Sequence, residues 1–549
     1  MLCPLRTATL RAAILVALAA PPAGAQKFHP DDPVARDHDD LHVPRAPQEI
    51  ELSSGWDVIE NTFFRPGPKR ASVPAARNVN TLGEVPDSSW WQNRIGARPM
   101  SISELVRGPN QGDGPDLHGG WTVLRGKSGG ITPGFTIRDA RGDVYFIKID
   151  PAQYFGLATG AEVIGSKFFH AFGYFVPETW IVYLRKEQIQ IGPEARVRVL
   201  GMKPRRMVPA DLDKILSDAA ALPDGRIRFV ASKAVPGRVV GPHKYFGTRP
   251  DDPNDVIPHE HRRELRGYRV FCAWLNHDDS RSLNSLDSFV SERGRSYVKH
   301  YLQDFSSILG SGSDWRRMIA PQNPRSGNEY IIDFDPIVKT ALSLGIWERP
   351  WYGIPYRIFP QVGGIEASRF DPDLWRPEFP NAAFQHMRPE DAFWAARIVS
   401  MFSDEAIRAI VREGDFRAPE AEAHLAQVII QRRDKVLARY FGALNPLGSF
   451  HVSGATVGFA NHGEDAGRAR ADGYEYQWFA LDNQTGQTRP LGPVARASGR
   501  SIPLPADRAQ YLMVRIRTLA PGAESWRKRV DVYLRTGGEP QVVGVEREI

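Results

Sequence analysis

The amino-acid sequence predicts an α+β protein with a small β-rich unit, a helical unit and a C-terminal all-β module. Three observations support this prediction. Short strand patterns and one helical pattern occupy residues 116–236. Helical apolar spacing dominates residues 237–445. After Asn445-Pro446 the apolar period changes to two, which is typical of strands.

Length and composition set the outer limits of the prediction. The chain has 549 residues, which is too long for one hydrophobic core, so two to four domains are expected. Apolar residues make up 42% and charged residues 24%, a globular composition. The formal charge of +6 falls to +4 without the two arginines of the first 25 residues. This near balance does not favour nucleic acid, so no nucleic-acid partner is expected.

Residues 1–25 have the organisation of a secretory signal. Arg6 and Arg11 form a positive start, residues 12–20 are apolar, and Ala23-Gly24-Ala25 is a small-residue cleavage site. The apolar run is too short to span a bilayer, and no later segment is long enough. We therefore expect cleavage after Ala25 and a secreted or periplasmic mature chain without a transmembrane segment. An uncleaved membrane anchor is the alternative.

Residues 26–115 are polar and rich in Pro, Asp and Arg, with apolar islands at 56–59 and 89–91. This pattern predicts an irregular N-terminal arm that wraps a larger body, with its aromatic islands packed and the rest solvated.

The β-rich unit of residues 116–236 has strand patterns separated by Gly-rich turns. Its one helical pattern ends at Gly173, a residue type that favours the left-handed conformation past a helix end. We expect strands near 120–124, 135–137, 142–149, 180–184 and 226–231, and a helix over 161–171.

The helical unit of residues 237–445 begins with an apolar helix over 260–276, followed by a hairpin that turns at Arg293-Gly294. Further helices are expected at 389–402, 403–414 and 418–441.

Residues 446–549 should form a compact β module, with a sandwich as the expected architecture and strands near 474–479, 510–516 and 529–534. Carbohydrate or protein binding is one role for this module, and capping the body is the other.

The strongest functional signal is the pattern H-x-D-x-x-x-x-N from His277 to Asn284, followed by Asp304 after a strand. A catalytic Asp, an Asn five positions later and a second Asp leaving a buried strand form the phosphoryl-transfer signature of kinases. On this interpretation Asp279 orients and deprotonates an acceptor, and Asn284 and Asp304 bind the metal. Arg281 is placed to contact the transferring phosphate. A polar loop that caps a helix is the alternative.

Two charged residues upstream complete an ordered set. Lys148 ends an apolar strand, where a phosphate-binding lysine is expected, and Glu162 lies in the first turn of the next helix, placed to pair with it. Taken alone, Lys148 could be an ordinary lysine at a strand end, and Glu162 could be an ordinary acid at a helix N-terminus.

Three glycines lie between the first two predicted strands, where backbone amides could approach phosphate oxygens. The spacing does not match G-x-G-x-x-G, so an ordinary hairpin turn is an equal alternative. The residues are Gly126, Gly129 and Gly130.

A second apolar run, residues 331–335, also resembles a strand ending in a metal-binding Asp, at Asp333. We prefer Asp304 because it follows Asn284 by a single hairpin. The remaining histidines have no zinc-site spacing, and the chain has no G-x-S-x-G motif.

With these motifs, residues 120–440 resemble the protein-kinase-like superfamily, nearest to its atypical HipA-like and secreted branches. The resemblance implies a two-lobed fold with residues 116–236 as the N-lobe and 237–445 as the C-lobe. It also implies ATP with Mg²⁺ or Mn²⁺ in the cleft, and it makes Lys148 and Glu162 the N-lobe ion pair. The chain departs from the family pattern at Ser306, which replaces the Gly of D-F-G, and in a long insert at residues 185–225.

The sequence therefore predicts an exported ATP-dependent phosphotransferase that acts on a protein, glycan or small hydroxyl acceptor. The alternative is a secreted pseudokinase that serves as a binding scaffold. It is motivated by the scarcity of ATP outside the cytoplasm and by the change at Ser306.

Overall fold

A computed structural model describes residues 26–35, 37–65, 73–126, 134–197, 203–312, 325–354, 356, 359–507 and 509–549. The predicted signal peptide, residues 1–25, lies outside this range. The described chain is a mixed α+β structure with large sheets and many helices. Within it, no helix is both long enough and apolar enough to cross a bilayer.

The predicted strands of residues 116–236 lie in one seven-stranded sheet. Neighbouring strands are antiparallel, except that Trp121–Gly126 and Ile189–Val197 pair in parallel. The order across the sheet is Thr179–Leu184, Ile227–Lys233, Val144–Lys148, Gly134–Arg138, Trp121–Gly126, Ile189–Val197 and Arg205–Arg206.

The insert at residues 185–225 contributes two of these strands and the helix Pro209–Leu216, which the sequence pattern did not predict. The strand Ile189–Val197 contains Pro193 and is only partly buried. Its outer side pairs only at Arg196 and Val197. A strand so close to a sheet edge tolerates proline and exposed positions, and both weaken the period-two pattern.

The predicted helix over 161–171 is longer and spans Leu157–Phe172. Its early start is explained by Asp150, whose carboxylate accepts hydrogen bonds from the amides of Gly156, Ala158 and Thr159 at 2.8–3.1 Å. A carboxylate at this end of a helix satisfies amides that have no partner within the helix.

This helix packs into the largest hydrophobic core of the described chain. Phe172 stacks on Phe271 with ring centroids 4.1 Å apart, and Phe168 contacts Trp274 at 5.3 Å. The seven-stranded sheet has a separate apolar cluster that includes Val123, Ile137 and Phe229. The helix is therefore fixed by the helical part of the chain, although it follows the sheet strand Val144–Lys148 in sequence.

Four helices of residues 237–445 lie close to their predicted positions. Arg263–Leu275 ends at Asn276, which adopts the left-handed conformation with φ 51°. The other three are Pro389–Ser400, Asp404–Arg412 and Pro419–Phe441. The helices Phe334–Leu342 and Ala382–Gln385 were not predicted.

The predicted hairpin is longer than its pattern. Ser285–Glu292 and Arg295–Leu302 pair along their full length, and Arg293 and Gly294 both have positive φ, as a tight hairpin turn requires. Arg238–Gly241 adds a third strand to this sheet. The hairpin fixes the register of the segment that leads to Asp304.

Residues after Asn445 form two antiparallel sheets with the short helix His462–Asp465. Side chains from both sheets share one apolar cluster, including Val457, Trp478 and Val532. The smaller sheet has strands Leu447–Ser453, Thr456–Asn461 and Ser501–Pro503. The larger has Thr488–Pro490, Gly473–Leu481, Tyr511–Leu519, Val530–Arg535 and Gln541–Arg547, with Ala495–Ala497 paired to Gly473–Leu481.

The segment from residue 26 to 115 runs across both the helical part and the β module. Trp90 and Trp91 are buried in the large core. The amide of Phe28 donates to Asn483 Oδ1 in the β module at 2.8 Å. Its regular pieces are the helices Ser54–Ile59 and Ile102–Arg107 and a π-helical turn at Glu60–Phe64.

Replacing Phe172 by alanine should destabilise the protein by about 3–5 kcal/mol, because the side chain is fully buried against Phe271 and Trp274. The matched control is Phe64→Ala, since Phe64 is 65% exposed and its removal should change stability by less than about 0.5 kcal/mol. Urea unfolding measures both, and equal losses would contradict the described core.

Candidate active site

Lys148 joins three separate segments of the chain at one point. Its Nζ lies 2.6 Å from Glu162 Oε2 and 2.6 Å from Asp304 Oδ1. It also donates to Ser306 Oγ at 3.2 Å. The sheet strand, the helix Leu157–Phe172 and the segment after the hairpin therefore meet at one ammonium group.

The electrostatics of this cluster favour the charged lysine. Burial works against the ammonium, but the carboxylates of Asp304 and Glu162 outweigh it, so the pKa of Lys148 lies above its ordinary value. Only 11% of the Lys148 side chain is exposed, whereas 39% of the Asp304 side chain is accessible. The lysine remains a fixed cation, and Asp304 faces the open side of the cluster.

The loop from His277 to Asn284 begins where the helix Arg263–Leu275 ends. Asn284 lies in a short 3₁₀ turn, and its Nδ2 donates to the main-chain oxygen of Asp279 at 2.6 Å. The Asn284 side chain therefore closes the loop on itself and fixes the position of Asp279.

A backbone hydrogen bond connects this loop to the segment of Asp304. The amide of Gln303 donates to the carbonyl oxygen of Asn284 at 2.9 Å. Asp304 has φ 62°, a left-handed conformation that is uncommon for residues other than glycine. The hairpin and this bond hold Asp304 in that conformation.

The residues at this position fit a hard divalent cation. Asn284 uses its amide nitrogen for the bond to Asp279, which leaves the amide oxygen as a ligand atom. Asp304 supplies a partly exposed carboxylate, and it directly follows Gln303, whose amide is bonded to the Asn284 carbonyl. An amide oxygen and a carboxylate are the oxygen ligands that Mg²⁺ and Mn²⁺ prefer.

Asp279 pairs with the predicted Arg281 and lies close to Glu378, which the sequence pattern did not indicate. Arg281 Nε lies 2.6 Å from Asp279 Oδ1, and Arg281 Nη1 lies 3.5 Å from Glu378 Oε2. The amide of Glu378 also donates to the Asp278 carbonyl at 2.8 Å. Burial, followed by repulsion from Glu378, raises the pKa of Asp279 well above its ordinary value despite Arg281.

The N-terminal arm also reaches this loop. Asp57 is 3% exposed, and its carboxylate interacts with Ser282 and with the charge of Arg281. Burial raises the pKa of Asp57 in spite of these partners. Glu378 and Asp57 belong to no local motif, and each is far from Asp279 in sequence, so no pattern pointed to them.

His277 packs in an aromatic environment under the loop. Its ring lies 5.7 Å from the ring of Phe305 and 5.6 Å from that of Phe169, and Phe305 and Phe169 stack at 4.9 Å. Neither ring nitrogen has a hydrogen-bond partner among the described residues, and burial lowers the pKa of His277 to about 3. His277 is therefore a neutral packing residue and is not placed to act as a base.

Of the three predicted phosphate-loop glycines, only Gly126 lies within the described residues. It ends the strand Trp121–Gly126, and a Cβ there would lie 3.0 Å from Val197 Cγ2. Close packing between strands therefore accounts for this glycine. Gly129 and Gly130 lie outside the described residues.

The alternative metal ligand, Asp333, does not follow a strand. The run over 331–335 leads into the helix Phe334–Leu342, and Asp333 is the residue that precedes it. Phe334, Ile337 and Val338 recur with the spacing of a helix. The apolar residues just before them, at 331 and 332, made the start of this helix resemble a strand.

A second buried polar cluster lies along the hairpin. Asp287 Oδ1 is 2.8 Å from Nδ1 of both His243 and His300. These three groups could hold a metal ion by proximity, but 2.8 Å is hydrogen-bond length and one oxygen serves both rings. Burial raises the pKa of Asp287, but the two histidines outweigh it and hold the pKa far below the ordinary range. Hydrogen bonds from the two rings therefore account for the Asp287 carboxylate without a metal.

The stability of the protein should fall on acidification partly because of His277. The unfolded imidazole binds a proton below about pH 6.5, whereas the folded one does so only near pH 3, so the unfolded state gains by up to about 1.4 kcal/mol per pH unit between these values. In His277→Phe, the slope of unfolding free energy between pH 6 and 4, measured by urea titration, should decrease by about that amount. An unchanged slope would contradict a buried neutral imidazole.

No family model matches the chain, and no curated protein sequence is similar enough to count as a relative. Among solved structures, the chain is similar to the crystal structure of the Golgi casein kinase with Mn/ADP bound. The match has 10% sequence identity and a TM-score of 0.27, and it covers 61% of this chain and 76% of that one. A TM-score of 0.27 is too low for the likeness to support an argument about fold or function.

Proposed function

We propose that this chain is an exported ATP-dependent phosphotransferase that transfers the γ-phosphoryl group of ATP to a hydroxyl of a protein, glycan or small molecule. One observation supports it most strongly. Lys148 lies 2.6 Å from both Glu162 and Asp304, although these residues come from a strand, a helix and the end of a hairpin. Phosphoryl transfer needs this kind of fixed cation beside a metal-binding carboxylate.

Each residue of the set has a role that its position allows. Lys148 neutralises phosphate oxygens of the bound nucleotide, and Glu162 keeps the ammonium in place when Asp304 turns to other partners. Asn284 and Asp304 would hold Mg²⁺ or Mn²⁺. A bound divalent cation supplies charge neutralisation at the β- and γ-phosphate oxygens.

Asp279 would act on the acceptor. The acceptor hydroxyl oxygen forms a bond to the γ-phosphorus, the bond from that phosphorus to the β–γ bridging oxygen breaks, and ADP leaves. The hydroxyl proton passes to the Asp279 carboxylate. Burial and the neighbouring Glu378 raise the pKa of Asp279, which makes its carboxylate a stronger base than an exposed aspartate.

A second candidate function, a nucleotide-binding scaffold without catalysis, is favoured by one observation. Arg281 Nε lies 2.6 Å from Asp279 Oδ1, so the proposed base is already paired with a cation. Transfer requires Arg281 to move from Asp279 towards the γ-phosphate. A chain in which this pair stayed closed would bind nucleotide and transfer nothing.

Export is part of the proposal and depends on the sequence of residues 1–25 alone, with their positive start, apolar run and Ala23-Gly24-Ala25 site.

Nucleotide binding should stabilise the protein. With ATP and Mn²⁺ at one hundred times the dissociation constant, stabilisation by about 2.7 kcal/mol is expected, measured as a rise in melting temperature. Lys148→Met and Asp304→Asn should lose most of this rise, because they remove the phosphate-binding cation and the metal-binding carboxylate.

Asp333→Asn is the matched control, since Asp333 precedes a helix and is not among the groups around Lys148. It should respond to ATP and Mn²⁺ as the unaltered protein does. Absence of any shift in the unaltered protein, or equal shifts in Asp304→Asn and Asp333→Asn, would refute the nucleotide site.

A substitution at Asp279 should abolish most phosphate transfer without weakening nucleotide binding. Asp279→Asn should keep the thermal shift with ATP and Mn²⁺ but lower phosphate transfer by about 10²–10⁴-fold, because the proton acceptor is lost. The measurement is release of ADP from ATP in the presence of candidate acceptors. Binding without ADP release in the unaltered protein, with every acceptor class tried, would favour the scaffold function.

A further inference from the structure

We propose that a cavity between the N-terminal arm, the helix Pro389–Ser400 and the C-terminal β module binds a small phosphate or phosphate monoester through Arg397 and Arg547. The cavity has a volume of about 390 Å³ and is lined from all three parts of the chain. It is separate from the residues around Lys148, so the inference does not depend on the proposed phosphotransfer.

Two guanidinium groups converge at this cavity. Arg547 lies over the ring of Phe393 at 4.6 Å, and Arg397 lies over the same ring at 5.5 Å. Arg547 comes from the last strand of the β module, and Arg397 from the helix Pro389–Ser400. Both residues also line an adjoining cavity of about 570 Å³.

The neighbouring carboxylates are already paired with other cations. Glu390 lies 2.6 Å from Arg388, Asp531 lies 2.7 Å from Arg515, and Glu546 lies 2.7 Å from Lys27. Asp391 pairs with Arg263 at 2.9 Å and with Arg266 at 3.3 Å.

Glu84 is the acid nearest to the two guanidinium groups, and it lies 2.5 Å from Arg397. Arg547 has no carboxylate within 4 Å among the described residues. It donates instead to the carbonyl oxygens of Asn445 and Leu447. The guanidinium of Arg547 is therefore held at this cavity by carbonyl oxygens, without direct pairing to a side-chain carboxylate of the described residues.

Two buried polar atoms near these guanidinium groups have no hydrogen-bond partner within the described chain. One is Arg397 Nε, and the other is Nε2 of His462, which lies behind the cavity wall with its ring 6.1 Å from that of Phe393. Burial, followed by repulsion from Arg397, lowers the pKa of Arg547 to about 9. Burial and then the same arginines lower the pKa of His462 to about 3. The local potential is positive enough to disfavour further protonation.

A bound phosphoryl dianion would offset the free-energy cost of holding these guanidinium groups together when Arg547 is paired with carbonyl oxygens rather than with a carboxylate. Guanidinium groups bind tetrahedral oxyanions through paired N–H donors, and a buried cation without a counter-charge is costly. The cavity volume also leaves room for a small organic group beyond the phosphate. A bound ligand would connect the β module to the arm and the helical part, which gives this module a ligand-dependent role.

Isothermal titration of the full chain with sodium orthophosphate, at ionic strength matched with sodium chloride, tests the site. We expect saturable binding that weakens at least tenfold in Arg547→Met and in Arg397→Met. The exposed Arg489→Met is the control and should bind as the unaltered protein does. If Arg547→Met fails to fold, Arg397→Met alone decides the result.

Lys148→Met separates this site from the candidate active site, because phosphate could also bind there. It should retain orthophosphate binding. Loss of binding in Lys148→Met with retention in Arg547→Met would overturn the proposal, as would the absence of saturable binding to the unaltered protein.

Glucose 6-phosphate distinguishes the two possible ligands, free phosphate and a phosphate monoester. Tighter binding than orthophosphate would indicate a phosphate monoester, and weaker binding would indicate free phosphate.

Discussion

The ammonium group of Lys148 is the point on which the candidate site depends. A buried cation is tolerated only when carboxylates surround it, because removing a charge from water is costly. Here Glu162 and Asp304 provide that charge at 2.6 Å each. The pairing therefore requires the helix Leu157–Phe172 and the end of the hairpin to lie against the end of the strand Val144–Lys148.

The rest of the structure makes that geometry rigid. Asp150 satisfies the first amides of the Glu162 helix, and Phe172 anchors its other end in the large core. Full pairing of the hairpin and the bond from Gln303 to Asn284 fix Asp304 beside the loop of Asp279. Polar groups that must meet within hydrogen-bond distance are thus held by elements whose own positions are set by apolar packing.

Much of this arrangement could be predicted because its signals are local. The central strands, the long helices and the hairpin have strong apolar periods, and Lys148, Glu162, Asp279, Asn284 and Asp304 keep a recognisable order along the chain. The insert strands were missed because Ile189–Val197 contains a proline and mixes buried with exposed positions near the sheet edge, and both residues of Arg205–Arg206 are exposed. Glu378, Asp57 and Arg547 were missed for a different reason. Their importance comes from neighbours far away in sequence, and no spacing rule encodes such contacts.

A crystal structure of the chain with ADP and Mn²⁺, with the metal located by its anomalous scattering, would show whether Lys148, Asn284 and Asp304 form one nucleotide site. We expect a manganese peak within about 2.5 Å of ligand oxygens from both Asn284 and Asp304, and a phosphate oxygen of ADP within hydrogen-bond distance of Lys148 Nζ. A peak at Asp333 or at the Asp287 cluster, or ADP bound away from Lys148, would contradict this expectation.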